Sequence, residues 1–71
     1  MSKITADELR AALDYNANLG TFTWRIRPSR AVKIGYIAGS LDDKGYVTIG
    51  INKRIYKAHR LAWLHVTGEW P

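Results

Sequence analysis

The chain has 71 residues, enough for one small domain, and it contains no cysteine. A domain of this size buries only roughly 60% of the surface that its unfolded chain exposes, so its stability margin is small. The lack of cysteine excludes disulfide bonds and zinc sites with thiolate ligands. No apolar run is long enough to cross a bilayer, and the first residues lack the apolar core of a signal peptide. We therefore expect a single soluble, intracellular domain spanning residues 1–71.

Basic residues are concentrated in the later part of the chain. Residues 21–71 hold nine of the 11 Lys and Arg but only three of the six Asp and Glu, and the net charge is +5. A clustered positive surplus favours a polyanionic partner such as nucleic acid. Composition alone leaves open the alternative that net charge merely keeps the surface soluble.

A helix is predicted over residues 5–16. Thr5 and Glu8 fit a capping box, in which a hydroxyl and a carboxylate accept hydrogen bonds from free backbone amides at the helix start. The stripe that follows has helical spacing and consists of Leu9, Ala12, Leu13 and Asn16. The turn-rich sequence NANLG at residues 16–20 is expected to end this helix.

Alternating and β-favouring residues predict strands in the middle of the chain. The predicted strands cover residues 21–26, 35–41, 46–51 and 54–58, and residues 42–45 form a turn. Pro28 ends the first strand or places it at an edge. Asn52 and Lys53 are predicted to form a two-residue hairpin turn, in which Asn suits a type I′ conformation and Lys replaces the preferred Gly.

The two faces of the hairpin formed by residues 46–58 differ in character. The face predicted to join the core consists of Val47, Ile49, Ile51, Arg54, Tyr56 and Ala58. The opposite face is small, polar and cationic, as a contact surface would be, and consists of Tyr46, Thr48, Gly50, Ile55 and Lys57. A shift of the register by one residue would exchange the two faces.

A second helix is predicted over residues 59–67, with Gly68 as its stop signal. Its apolar residues surround the helix almost completely and are Leu61, Ala62, Trp63, Leu64 and Val66. Such a short helix is stable only when it packs on other elements. The predicted fold is therefore α+β: a small antiparallel sheet of three to four strands, with an N-terminal and a C-terminal helix packed on it.

The sequence offers no candidate catalytic residue, metal ligand set or cofactor site. His59 and His65 are six residues apart, a spacing that places them on well-separated faces of a helix. Asp42 and Asp43 are neighbours in a turn, where adjacent carboxylates point apart. No glycine-rich phosphate-binding loop with the usual spacing is present.

Cationic and aromatic side chains alternate through residues 24–57, a pattern typical of nucleic-acid binding. We expect Trp24, Tyr56 and Trp63 to be core residues rather than platforms for base stacking. The many cations near few acids cannot all be paired internally, so they are the better candidates. The predicted nucleic-acid contacts are Arg25, Arg27, Arg30, Lys33, Thr48, Lys53, Arg54 and Lys57.

Two stretches carry a resemblance to a known family. The sequence GYVTIGINKRIYKAHRLAWLHVTGEWP resembles the segment that leads into the catalytic motif of phage and intron-encoded HNH (homing) endonucleases. The preceding sequence LDYNANLGTFTWRIRPSRAVKIGYIAGSLDDKGY is similar to the amino-terminal region of the phage members. In that family the general base and the metal ligands follow the Trp-Pro pair, which here is Trp70 and Pro71. His59 matches the histidine of the family's H-R-L motif, which is not the catalytic one.

The resemblance implies a domain that contacts double-stranded DNA and has no nuclease activity by itself. A divalent metal such as Mg²⁺ would belong only to the missing catalytic part, so no cofactor is expected in this chain. The resemblance also implies a phage- or prophage-encoded protein in the cytoplasm of a bacterial host. The alternative is a stand-alone phage protein that binds or inhibits a host protein. The target site and the oligomeric state stay open.

Overall fold

A computed structural model describes residues 3–71 of the chain. In chain order its elements are α1 (Ala6–Ala12), β1 (Leu13–Asn16), β2 (Thr21–Trp24), β3 (Ser40–Leu41), β4 (Val47–Ile51), β5 (Arg54–Lys57) and α2 (Ala58–Thr67). One sheet pairs β1 with β2, and the other has the order β3-β4-β5, with antiparallel pairing throughout. The predicted α+β class is confirmed, with helices near both ends, but the strands form two small antiparallel sheets, of two and three strands, instead of one.

The first helix begins as predicted but ends earlier. The Thr5 hydroxyl accepts a hydrogen bond from the Glu8 amide at 3.2 Å, and the Glu8 carboxylate accepts one from the Thr5 amide at 3.0 Å. The capping box is therefore confirmed. The helix stops at Ala12, because Leu13 is extended and pairs with Trp24 across the first hairpin. The prediction of a helix to residue 16 was wrong here, since a buried Leu13 fits a helical stripe and a strand equally well.

The sequence NANLG forms the turn between β1 and β2 rather than the exit of a helix. The Asn16 side-chain oxygen accepts hydrogen bonds from the amides of Asn18 and Leu19 at 3.0 and 3.2 Å. Gly20 has a φ of 69° and donates its N–H to the Asn16 carbonyl at 2.7 Å. An Asn side chain that closes a turn in this way replaces a backbone partner.

The segment of residues 35–41 connects the two sheets. Its first half hydrogen-bonds to β2, where the Trp24 amide donates to Tyr36 at 2.9 Å and the Ala38 amide donates to Phe22 at 2.8 Å. Its second half is β3, which pairs with β4. Gly39, with a φ of 102°, lies between the two halves. The strand predicted over residues 35–41 is therefore divided, because this glycine turns the chain from one sheet to the other.

The hairpin of β4 and β5 has the predicted turn and register. Asn52 and Lys53 have φ values of 53° and 63°, the left-handed pair that a type I′ turn requires. Ile49 pairs with Tyr56 on the buried face, so the predicted core face is confirmed at these positions. Val47 was expected on that face but is 41% exposed. The buried part of the strand begins at Ile49, so Val47 lies outside the core.

The second helix packs through one face only. Leu61 and Leu64 are fully buried, and α2 contacts α1, β4 and β5. Trp63 is 55% exposed, so the prediction that it belongs to the core was wrong. A helix that crosses a two-layer domain buries one stripe, and the remaining apolar residues stay outside whatever their hydrophobicity. Gly68 ends the helix as predicted, with a φ of 84°.

The core lies between α1, α2 and the two sheets. It consists of Ile4, Leu9, Ala12, Leu13, Phe22, Trp24, Ala38, Ile49, Ile51, Tyr56, Leu61 and Leu64. The core positions predicted for Trp24 and Tyr56 are confirmed. In the part of the chain that the structure describes, neither helix has the length and apolar character needed to span a membrane.

Candidate nucleic-acid interface

The predicted contact residues lie in two regions of the molecule. Arg25, Arg27, Arg30 and Lys33 belong to the loop of residues 25–34 that leaves β2, called here the arginine loop. Thr48, Lys53, Arg54 and Lys57 belong to the hairpin of β4 and β5. The side chains of the two regions have different partners.

Two arginines of the arginine loop bind the protein's own backbone. The Arg25 guanidinium donates to the Arg10 carbonyl at 2.9 Å and lies 3.8 Å from the Asp14 carboxylate. The Arg27 guanidinium donates to the carbonyls of Val32 at 3.3 Å and Arg30 at 3.2 Å. These contacts fix the loop. They also occupy some of the guanidinium N–H donors that would otherwise be available to a phosphate.

Arg30 and Lys33 differ from these two arginines. Both side chains are exposed, and within residues 3–71 neither makes a hydrogen bond or an ion pair. The arginine loop therefore combines structural guanidinium groups with two cations that are open to solvent.

Cations from four separate segments line a groove of about 490 Å³ beside β5, called here the basic groove. They are Lys3, Lys44, Arg54, Lys57 and Arg60. No carboxylate is among the residues that line it. A concave surface on which several cations converge raises the local concentration of anions. The Asp42 carboxylate beside Lys57 offsets part of this positive charge.

Aromatic rings form the walls of the basic groove. Tyr56 and Trp70 are stacked with 5.6 Å between ring centroids, and the Lys3 ammonium lies 5.2 Å from the Trp70 ring. The Lys57 ammonium lies 4.6 Å from the centroid of the Tyr46 ring. Cations held over aromatic faces keep their charge while part of their solvent shell is replaced by the ring.

Two hydrogen bonds bring the N-terminal segment to the groove. The Ile4 amide donates to the Tyr56 hydroxyl at 3.0 Å, and the Trp70 indole N–H donates to the Ile4 carbonyl at 3.1 Å. The first bond joins residues that are 52 positions apart in the sequence, and the second joins residues that are 66 positions apart. Lys3 reaches the groove because its neighbour Ile4 is held there.

Lys57 is paired within the protein. Its ammonium group lies 2.7 Å from the Asp42 carboxylate. Asp42 also accepts hydrogen bonds from the amides of Lys44 and Tyr46, both at 2.9 Å. The pKa of Asp42 is lowered from its usual 3.8, first by the Lys57 hydrogen bond and next by the Tyr46 amide. The expectation of an unpaired cation therefore does not hold for Lys57.

A second groove, of about 500 Å³, joins the hairpin to the arginine loop. Ile26 and Pro28 form one side, and the hairpin tip with Lys53 forms the other. Arg54 and Ile55 line both grooves, so the two grooves adjoin each other at β5. Within the described residues the Lys53 side chain makes no hydrogen bond or ion pair.

Thr48 is not brought into the basic groove. It pairs with Lys57 across the sheet, as predicted, but its hydroxyl is directed to the Ser40 carbonyl at 3.5 Å.

Sequence reasoning missed three cations of the groove, namely Lys3, Lys44 and Arg60. The predicted turn and helix give a signal for two of them, since Lys44 and Arg60 flank the ends of the hairpin. Lys3 gives no local signal, because only a tertiary contact places it.

The histidines and acids do not form a metal-binding cluster in the described part of the chain. Across residues 3–71 there is no group of three or more His, Cys, Asp or Glu that could hold a metal ion. His65 lies against the Leu13 carbonyl, with its Nε2 atom 3.2 Å away, whereas His59 lies against Tyr46.

Comparison of the chain with protein-family models, curated proteins and solved structures gave no match.

Proposed function

We propose that this domain binds double-stranded DNA through the basic groove. The supporting observation is the convergence of five cations from four segments on a surface without a lining carboxylate. Such a surface neutralises backbone phosphates and releases their counterions, which gives affinity and position but little sequence choice. Lys53 lines the adjoining groove at the hairpin tip, and Arg30 and Lys33 are further exposed cations of the arginine loop.

The proposal includes the resemblance to HNH endonucleases. We propose that this chain corresponds to the DNA-contacting portion of a phage protein of that type and does not cut DNA by itself. No catalytic role is assigned to His59, which packs on Tyr46 with 5.9 Å between ring centroids. The groove's cations are suited to holding phosphates, not to activating a nucleophile.

The salt dependence of binding tests the proposal directly. Within residues 3–71 no ion pair involves three of the groove cations, namely Lys3, Lys44 and Arg60. If these three neutralise phosphates, the slope of log K against log salt is expected to be roughly −3. A fluorescently labelled 20-base-pair duplex is titrated with the protein at several KCl concentrations, and fluorescence anisotropy reports binding. A flat salt response, or no binding at low salt, contradicts the proposal.

Charge reversal locates the interface. Lys44→Glu combined with Arg60→Glu should weaken DNA binding at least tenfold at low salt, because each change removes a phosphate contact and adds a repulsion. Arg30→Glu combined with Lys33→Glu changes the net charge by the same amount on the arginine loop and should cost only a few-fold. Equal losses in the two double variants would show that net charge, and not the groove, determines binding.

A further inference from the structure

The strand β5 is an open edge of the three-stranded sheet, since the strand order is β3-β4-β5. The four residues of β5, Arg54 to Lys57, all line the basic groove. Successive side chains of a strand point to opposite faces of the sheet. A groove that touches four residues in succession therefore runs along the edge of the strand and not across one of its faces.

The register shows which backbone groups face this groove. In a hairpin with a two-residue turn, the pair that flanks the turn exchanges backbone hydrogen bonds, and here that pair is Ile51 and Arg54. The next pair, Gly50 and Ile55, is then of the type without hydrogen bonds. The N–H and C=O of Ile55 consequently point away from β4, toward the groove, and within the described residues no other backbone group pairs with them.

We propose that the edge of β5 binds an extended, acidic peptide segment of a partner protein, which adds to the sheet as a further strand. A peptide supplies both an N–H and a C=O at strand spacing, and so it can satisfy both groups of Ile55. A phosphodiester backbone supplies acceptors only and leaves the Ile55 carbonyl without a donor. A peptide therefore uses both backbone groups of this edge, whereas a phosphodiester backbone uses only the N–H.

Charge selects the kind of peptide. Lys and Arg side chains along an edge strand oppose pairing with neutral or basic strands. Glutamate or aspartate side chains on the incoming strand would meet the ammonium and guanidinium groups of the basic groove and remove that opposition. Ile55, which is 78% exposed, offers an apolar contact for the residues that alternate with the acids.

The peptide edge lies in the same groove as the proposed DNA site, but peptide binding is measured without DNA, so the two proposals can fail separately. The probe is a capped peptide of alternating glutamate and valine, EVEVEVE, titrated into ¹⁵N-labelled protein. We expect amide shift changes centred on β5 and at least tenfold slower hydrogen exchange of the Ile55 amide at saturation. Shift changes elsewhere, or unchanged exchange of that amide, would overturn the proposal.

Two control peptides separate charge from backbone pairing. The basic peptide KVKVKVK has the same β-forming pattern and should bind at least tenfold more weakly than EVEVEVE. A fully N-methylated EVEVEVE keeps the charge but cannot donate backbone hydrogen bonds, and it should also bind at least tenfold more weakly. Equal binding of either control overturns the proposed mode.

A protein variant provides a second test. Ile55→Pro removes the outward N–H without removing a bond to β4, which an edge strand tolerates. It should lower peptide affinity at least tenfold, whereas Ile55→Val should keep it. Retained affinity in a folded Ile55→Pro protein contradicts the proposal, and if this variant fails to fold, the N-methylated peptide decides.

Discussion

The arginine loop and the basic groove contain the same kinds of side chain but use them differently. In the arginine loop, Arg25 and Arg27 donate to backbone carbonyls and hold the chain in place. In the basic groove, cations from distant segments meet around one concave space. The loop cations are all close in sequence, whereas Lys3 and Lys44 meet the other groove cations only in the folded protein.

This difference shows why a count of charges is a weak guide to a binding surface. A guanidinium group has five N–H donors and finds carbonyl partners wherever a loop exposes them. An ammonium group held over an aromatic ring, as Lys3 is over Trp70, keeps its charge available. The partners that a cation has within the protein decide whether it is free to bind a ligand. The number of cations clustered around it does not.

The largest effect is expected at Gly39, where the chain passes from one sheet to the other. Gly39→Ala should destabilise the fold by about 2 kcal/mol or more, because the φ of 102° is strained for alanine and the new Cβ would lie 2.8 Å from Val47. Urea unfolding measures the loss. Gly45→Ala, also at positive φ but with open space around it, should cost about 1 kcal/mol. Equal losses would show that the contact at Gly39 is unimportant.

A smaller effect is expected where the N-terminal segment joins the groove. Tyr56→Phe should cost about 1–2 kcal/mol, because the buried Ile4 amide loses its acceptor. It should also lower the salt slope of DNA binding by about 1, since Lys3 is no longer held in the groove. The control is Tyr15→Phe, whose hydroxyl has no hydrogen-bond partner among residues 3–71. An unchanged slope in Tyr56→Phe would remove Lys3 from the interface.

In the arginine loop the expected loss is one of stability. Arg27→Ala should cost about 1 kcal/mol, because its two hydrogen bonds to loop carbonyls are lost at an exposed site. Arg30→Ala should stay within about 0.5 kcal/mol of the parent protein, since its side chain has no partner within the described residues. Thermal or urea unfolding compares the two variants. If they match, the division between structural and free cations is wrong.

The smallest effect concerns the titration of Asp42. Its pKa is lowered chiefly by Lys57, so Lys57→Met should raise it toward 3.8. Because the folded-state pKa is the lower one, the stabilisation is present above 3.8 and is lost as the pH falls through the lowered value. Carboxyl NMR measures the shift. Lys44→Met is the control, since only the backbone of Lys44 contacts Asp42, and a rise there would contradict the assignment.

The fold was predictable wherever a local sequence pattern is compatible with only one local structure. The capping box at Thr5 and the type I′ turn at Asn52 were read from a few adjacent residues, and both are present. Leu13 was misassigned because an inward-facing residue fits a helix and a strand alike. Trp63 was misassigned because helix burial depends on how many layers cover the helix, which sequence does not state.

Only part of the candidate site could be predicted, because several of its residues come together through tertiary contacts. Arg54 and Lys57 were identified because cations outnumber acids in this part of the chain, although the predicted register placed them on opposite faces of the hairpin. The pairing of Lys57 with Asp42 requires the turn of residues 42–45 to fold back on β5. The contribution of Lys3 requires Tyr56 and Trp70 to hold Ile4. Both arrangements follow from tertiary contacts, which have no signature in local spacing.

The left-handed backbone of Lys53 has a consequence for engineering this protein. A lysine at a φ of 63° costs roughly 1 kcal/mol that glycine would not, so the tip of the hairpin is less stable than its backbone geometry allows. Replacing this residue with glycine would strengthen the turn and also delete an outermost positive charge. Thermostability and reach toward an anionic partner are therefore in direct competition at a single side chain.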